Sequence, residues 1–228
     1  LHLVLGCQGW GFAAGCNAAF DALEQWGYRG WIWLLNPDVS LPAGNELESL
    51  QQLLQDQDPS ALLGTAVRDA AGELEASGGW IDSGFNFRRR RIKEQHAQLK
   101  PEPLAVDWLS GCSLILSPSV HQPPARFDSG YPLYYEDMDL CRRLQAAGSP
   151  VLWLPQPVLG HQRGEGSCTP SSRRLELSPR SYCRYLRLHC SGWVRALRLV
   201  RLVTRAVLSL AFQPQKGRAV LRGIRVCD

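Results

Sequence analysis

Two short stretches of this sequence concentrate the residue types that do chemistry. The first is the tripeptide Asn36-Pro37-Asp38, which closes the apolar run "WIWLL". A carboxylate presented by a stiff proline turn at a strand end suits a hard divalent cation. Such ions take oxygen ligands and are often held by one or two carboxylates plus substrate phosphates. Mg²⁺ or Mn²⁺ is therefore the expected cofactor, with Asp38 as a ligand. Asn36 can hydrogen-bond a hydroxyl or a carbonyl. The same residues also read as an Asx turn that ends a strand. The second stretch is "YYEDMDLCRRLQAAG", where Glu136, Asp137 and Asp139 crowd the start of an expected helix. One acid there is explained by the positive end of the helix dipole. Three repel one another unless they meet a cation or a polar substrate, and an aspartate so placed can take a proton from a hydroxyl.

Two weaker signals accompany these. His161 follows "VLWLPQPVLG" and could complete a metal site with Asp38, or serve as a structural histidine. "WGFAAGCN" carries Gly11 and Gly15, which permit close backbone approach, and Asn17, which reads as an N-cap. A phosphate or nucleotide at that helix N-terminus is one reading. A plain turn-to-helix junction is the other. "RRRRIK" could meet phosphates or form a solvated loop.

These residues need a scaffold. Residues 1–5 and the run "WIWLL" read as strands, the second as a central strand covered on both faces. "NELESLQQLLQ" has leucines at helical spacing, and "ALLGTAV", "VDWLSGCSLILS" and "VLWLP" return to strand character. "RDAAGELEASG" reads as a turn with short edge strands, and residues 77–103 as a polar, basic loop. Strands alternating with helices predict a mostly parallel sheet with crossover helices. In such sheets ligands sit beyond the carboxyl ends of the strands, which is where Asn36 and Asp38 fall. From residue 178 the chain is helical and basic, a tail consistent with packing on the domain or resting on an anionic membrane surface.

The 228 residues suit one α/β domain plus a helical tail, here divided at 1–170 and 171–228. The net charge is +4 and 45% of residues are hydrophobic, ordinary for a globular protein. The eight cysteines form no CxxC pair and read as reduced thiols of a cytosolic protein. No signal peptide and no bilayer-spanning apolar run is evident. No module signature for nucleic acid is present, so no nucleic-acid partner is expected.

In order and spacing, "GFAAGCN", "WLLNPDV", "WLSGCSLIL", "FDSGYPLYYEDMDLCRRLQAAG" and "LPQPVLGHQRGEGS" resemble glycosyltransferase family 2, particularly its rhamnosyltransferase-like members. The resemblance spans residues 11–167 and extends weakly to "RSYCRYLRLH". It implies a GT-A fold, a Rossmann-like mostly parallel sheet flanked by helices, and inverting transfer from a dTDP- or UDP-sugar to a glycan or lipid-linked acceptor. Asn36-Pro37-Asp38 would stand in the place of the family's Asp-x-Asp motif, with Asp38 on the metal and Asn36 near the donor. Asp137 would be the catalytic base with Glu136 beside it on the substrate. His161 would ligate the metal, while Trp108 and Gly111 would line the donor–acceptor cleft. Gly11, Gly15 and Asn17 would belong to the nucleotide site. The family's opening strand and base-binding loop have no counterpart at the start of this sequence, and Gly9 stands where asparagine is usual. That departure predicts a fragment or an unusual start, and raises a rival reading, a non-catalytic remnant or partner subunit. A nucleotidyltransferase is a third reading, disfavoured by the helix-borne acids and His161. The expected location is the cytoplasm, with a peripheral contact on the cytoplasmic face of the inner membrane.

Overall fold

The computed structural model describes residues 11–41, 45–75, 77–82, 88–95, 102–161 and 171–225. The expected strand at 1–5, Gly9 and the loop at 162–167 lie outside these residues.

The described elements alternate through the first part of the chain and become purely helical at the end. They run α1 (Phe12–Gln25), β1 (Ile32–Leu35), β2 (Val39–Ser40), α2 (Glu46–Gln55), β3 (Leu62–Asp69), β4 (Gly78–Asp82) and β5 (Arg88–Arg91). Next come β6 (Leu104–Ala105), β7 (Trp108–Leu109), β8 (Ser113–Leu116), α3 (Glu136–Ala146) and β9 (Val151–His161). The tail is α4 (Ser171–His189), α5 (Gly192–Phe212) and α6 (Pro214–Arg225).

The main sheet has the order β1-β8-β3-β9-β2, with β6 also paired to β9. β3 and β9 pair in parallel, while β8 runs antiparallel to both β1 and β3. The strands β1, β3 and β9 therefore share one direction, and β8 is inserted against them. Their carboxyl ends, Leu35, Asp69 and His161, converge on one edge of the sheet. This is the GT-A-like α/β architecture that the sequence predicts.

β3 shows why the sheet sits in the middle. Residues 62–67 are all buried, as an apolar run in a doubly covered strand must be. Alternation sends Leu62 and Ala66 to one face, where they join Phe20 of α1 and Leu140 and Leu144 of α3. It sends Leu63 to the other, with Leu50 of α2. Each such fully buried leucine contributes about 1.5–3 kcal/mol relative to exposure. Gly64 suits the close packing here, because a Cβ would sit 2.8 Å from Leu109 Cδ2 and force that side chain to shift.

Four local expectations need correction. "WIWLL" is half-buried rather than fully covered, and among the described strands β1 ends the sheet with β8 as its neighbour. The helix α1 begins at Phe12, with Gly11 as its N-cap, so Asn17 lies inside it and is not the cap. "VDWLSGCSLILS" is not one strand. It breaks at Ser110–Cys112, and β7 and β8 join different sheets. The segment 77–103 is not merely loop, because β4 and β5 form a second, three-stranded sheet with β7.

Candidate active site

The Asn36-Pro37-Asp38 turn is pinned by the backbone before any side chain acts. The Asn36 N–H donates to the Cys112 carbonyl at 3.1 Å, and the Val39 N–H donates to the Asn36 carbonyl at 3.2 Å. This ties the end of β1 to the turn between β7 and β8. β2 then pairs with the end of β9, placing Val39 opposite His161. That register brings Asp38 and His161 together: Oδ1 of Asp38 is 3.2 Å from Nε2 of His161, with both side chains nearly enclosed. The other ring nitrogen, Nδ1, lies 3.0 Å from Oε2 of Glu75. Glu75 was not legible as a site residue in the sequence.

The Asp38–His161 pair fits a divalent cation. Octahedral ions bind oxygen at about 2.0–2.1 Å, so two adjacent ligands stand about 3 Å apart. One carboxylate with one imidazole suits Mn²⁺ better than Mg²⁺, which prefers oxygen alone. Among the described residues no group of three His, Cys, Asp or Glu side chains could hold a metal by itself. An ion held by this pair would leave its remaining positions to phosphate and water, the usual arrangement where a substrate phosphate shares the ion.

The second centre is built on α3. Asp137 Oδ2 accepts the Gly111 N–H at 3.0 Å and Oδ1 accepts the Met138 N–H at 2.8 Å. Gly111 belongs to the same β7–β8 turn that holds Asn36, so one turn locks both centres to each other. A side chain at Gly111 would crowd the Phe12 ring, since a Cβ would lie 3.0 Å from it. β7 is fastened to α3 by the Leu109 N–H, which donates to Cys141 Sγ at 3.3 Å. Asp137 opens onto a cavity of about 280 Å³, whose wall includes Trp108, Ser110, Tyr134, Tyr135 and Arg91. Two wall residues precede the helix in an unusual conformation: Tyr134 has φ 65° and Tyr135 φ 72°. Bulky residues rarely enter the left-handed region, and strain of this kind clusters where geometry serves a site. Tyr135 is held there against Tyr182 and Tyr185 of α4, with ring centroids 5.5 and 5.6 Å away.

Other expected site residues are placed differently. Trp108 does line the cavity, and its buried ring rests on Met138 and Tyr185. Glu136 is buried and does not line it, because one helical step turns it away from Asp137. Burial, then the charge of Asp137, push the Glu136 carboxyl up to about 8. Gly11 caps α1 and Gly15 is exposed within it, with open space where a Cβ would stand. Asn17 is committed elsewhere: its Nδ2 donates to the Phe127 carbonyl and its Oδ1 accepts the Phe127 N–H, both at 2.9 Å. It clamps the loop before α3 rather than facing a ligand at the helix start.

The Glu136 environment gives a stability prediction. Its carboxyl binds a proton more tightly folded than unfolded, so its stabilising contribution is complete below about pH 4.5. It is lost as pH rises through about 8. Glu136→Gln keeps the neutral shape at every pH. The variant should match the parent near pH 5 and exceed it above pH 8 by about 1–3 kcal/mol, read from denaturant melts at both pH values.

The residues on α4 complete the frame. Asp139, on the first turn of α3, is 1% exposed. Its Oδ1 lies 2.7 Å from His189 Nε2 and accepts the Tyr131 hydroxyl at 3.2 Å, while its Oδ2 accepts Arg143 Nε at 2.7 Å. Asp139 is thus a structural clamp from α3 to the tail and does not join Asp137 at the cavity.

No family model matches the chain. It is 28% identical over 190 residues to N-acetylglucosaminyl-diphospho-decaprenol L-rhamnosyltransferase of Mycobacterium tuberculosis, in strain CDC 1551 / Oshkosh and equally in strain ATCC 25618 / H37Rv. The match covers 78% of this chain and 61% of each relative, so the chain spans about three-fifths of their length. Among solved structures it is similar to GalNAc-T7, crystallised with UDP, GalNAc and Mn²⁺, at TM-score 0.50 and 15% identity over 75% of this chain and 34% of that one. The sequence resemblance to rhamnosyltransferase-like glycosyltransferases and the GT-A-like fold are both supported by these likenesses.

Proposed function

We propose that this rhamnosyltransferase-like chain transfers a sugar, with inversion, from a dTDP- or UDP-sugar to a hydroxyl of a lipid-linked glycan. The observation that carries the reading is the pair of centres at one sheet edge. Asp38 faces His161 at 3.2 Å, and Asp137, oriented by Gly111, opens onto the neighbouring cavity. Asp38 and His161 would hold Mn²⁺ or Mg²⁺ together with the donor diphosphate. When bound, the cation supplies Lewis-acid neutralisation of the leaving diphosphate. Asp137 accepts the proton of the acceptor hydroxyl as its oxygen bonds to the anomeric carbon. The bond from that carbon to the diphosphate oxygen breaks on the opposite face. Trp108 and Tyr134 give the cavity apolar ring surface for a sugar, and Arg91 gives it a cation for an anionic acceptor group. The test is transfer of labelled sugar from dTDP-rhamnose and UDP-sugars to a polyprenyl-diphosphate-linked acceptor, with and without Mn²⁺.

A lipid-linked acceptor brings the chain to a membrane surface. No described helix is long and apolar enough to cross a membrane. α5 instead leaves Trp193, Val200, Val207 and Leu208 exposed along one stripe. Residues 192–225 contain Arg201, Arg205 and other basic side chains but no Asp or Glu. An apolar stripe flanked by arginine lies in the headgroup region of anionic bilayers. The chain should float with phosphatidylglycerol vesicles and not with phosphatidylcholine vesicles. Val200→Glu with Leu208→Glu should cut that binding tenfold or more, by order of magnitude. Equal flotation on both vesicle types contradicts the contact.

A further inference from the structure

We propose that Glu75 is the positioning residue of the metal centre: its carboxylate holds the His161 ring by Nδ1 so that Nε2 is presented, with Asp38, to the ion. The inference rests on the reading of Asp38 and His161 as ligands. Its own support is geometric. Oε2 of Glu75 stands 3.0 Å from Nδ1, on the opposite side of the ring from the contact between Nε2 and Asp38. The two ring nitrogens diverge, so Glu75 cannot share an ion with Asp38. It can only act through the histidine. All three side chains are enclosed, at 10% exposure for Glu75, 12% for His161 and 14% for Asp38. An exposed carboxylate near a histidine would be screened and worth little. An enclosed one fixes both the tautomer and the ring plane.

The backbone shows how Glu75 arrives there. β3 ends at Asp69, whose Oδ1 accepts the Ala71 and Glu73 N–H groups at 2.9 and 3.0 Å. Gly72, with φ 79°, supplies the left-handed step that reverses the chain. Leu74 then bridges back to Arg68, and the Glu75 N–H donates to the Val67 carbonyl at 2.8 Å. On the far side of β3, Asp69 is paired with His161. A tight hairpin at the end of β3 therefore lays Glu75 against the end of β9. An enclosed acid is costly unless it is engaged. A ring nitrogen that must carry its proton so that the other can be a ligand is such an engagement. Carboxylates that orient ligating histidines typically change metal affinity about 10–100-fold when removed.

The test measures Mn²⁺ binding to the full chain in the presence of UDP, from the free-ion EPR signal, without any turnover. The variants are Glu75→Gln, Glu75→Leu and Asp38→Ala, each checked for folding by circular dichroism. Glu75→Leu should weaken Mn²⁺ about 10–100-fold, and Glu75→Gln, which can still accept from Nδ1, by less. A second readout is the long-range ¹H–¹⁵N spectrum of His161 with Mg²⁺ and UDP. The parent should carry its proton on Nδ1, and Glu75→Leu should lose that preference. Parent binding that Asp38→Ala abolishes and Glu75→Leu leaves unchanged overturns the role of Glu75 while sparing the metal ligands. A parent that binds no Mn²⁺ overturns both.

Discussion

Asp137→Asn should lower sugar transfer about 10²–10⁴-fold, the range that general-base catalysis supplies, while donor binding stays within a factor of two or so of the parent. The substitution is nearly isosteric. The amide oxygen can still accept the Gly111 N–H that holds Asp137 at 3.0 Å, so the backbone of the β7–β8 turn keeps its place. Besides the capacity to take a proton, the change removes the acceptor that Oδ1 gives the Met138 N–H. The effect should fall on kcat and not on the KM for the donor, because the proposed role of Asp137 is to act on the acceptor hydroxyl in the cavity it lines. Steady-state kinetics with each substrate varied in turn checks this. Donor affinity that falls in parallel with kcat would instead make Asp137 part of the donor site.

Asp139→Ala should be the most damaging single change to stability, costing about 3–5 kcal/mol. Asp139 is enclosed and is held on both oxygens, by His189 and Tyr131 on one and Arg143 on the other. Burial alone would raise its carboxyl. The His189 hydrogen bond and the Arg143 charge outweigh that and hold it below its usual range. A carboxyl lowered in the folded state stabilises above its unfolded pKa and loses that contribution as pH falls through the folded value. The parent should therefore weaken in acid at a point where the variant is indifferent. Because His189 sits at the end of α4, the variant should also loosen the tail and, with it, the contact of Tyr135 with Tyr182 and Tyr185. Urea melts at pH 7 and at several points below pH 3.8, the ordinary value of the carboxyl, measure both effects. A loss under about 1 kcal/mol at pH 7 would remove Asp139 from this role.

The structure explains which parts of the site could be read from the chain. Asp38 and Asp137 were legible because local rules put them in place. An apolar strand must end somewhere, and the residues after its end face the crevice. An acid on the first turn of a helix is likewise fixed by its neighbours. His161 was legible by position, and so was Asp38 as its neighbour, but its second partner was not. Glu75 reaches it through a hairpin beside β3 and a parallel pairing of β3 with β9, and periodicity carries no information about either. Glu136 and Asp139 show the converse limit. The sequence presents three acids together, while the helix sends only Asp137 to the cavity and buries the other two. Asn17 has an N-cap residue's chemistry, yet the helix starts at Phe12 and the amide is used 110 positions away, on Phe127. The split of "WLSGCSLIL" at Ser110–Cys112 was hidden for a similar reason. A strand that changes sheets keeps its apolar pattern on both sides of the break, and here that break supplies the N–H that orients Asp137.

The central claim is a metal-dependent donor site built on Asp38 and His161. It is tested most directly by calorimetric titration of the chain with UDP and with dTDP, each with and without Mn²⁺, beside Asp38→Ala. The account predicts binding of at least one nucleotide that requires Mn²⁺ and is abolished in Asp38→Ala. A folded chain that binds neither nucleotide, or binds equally well without Mn²⁺ and with Asp38 replaced, would contradict it and leave the fold without a working donor site.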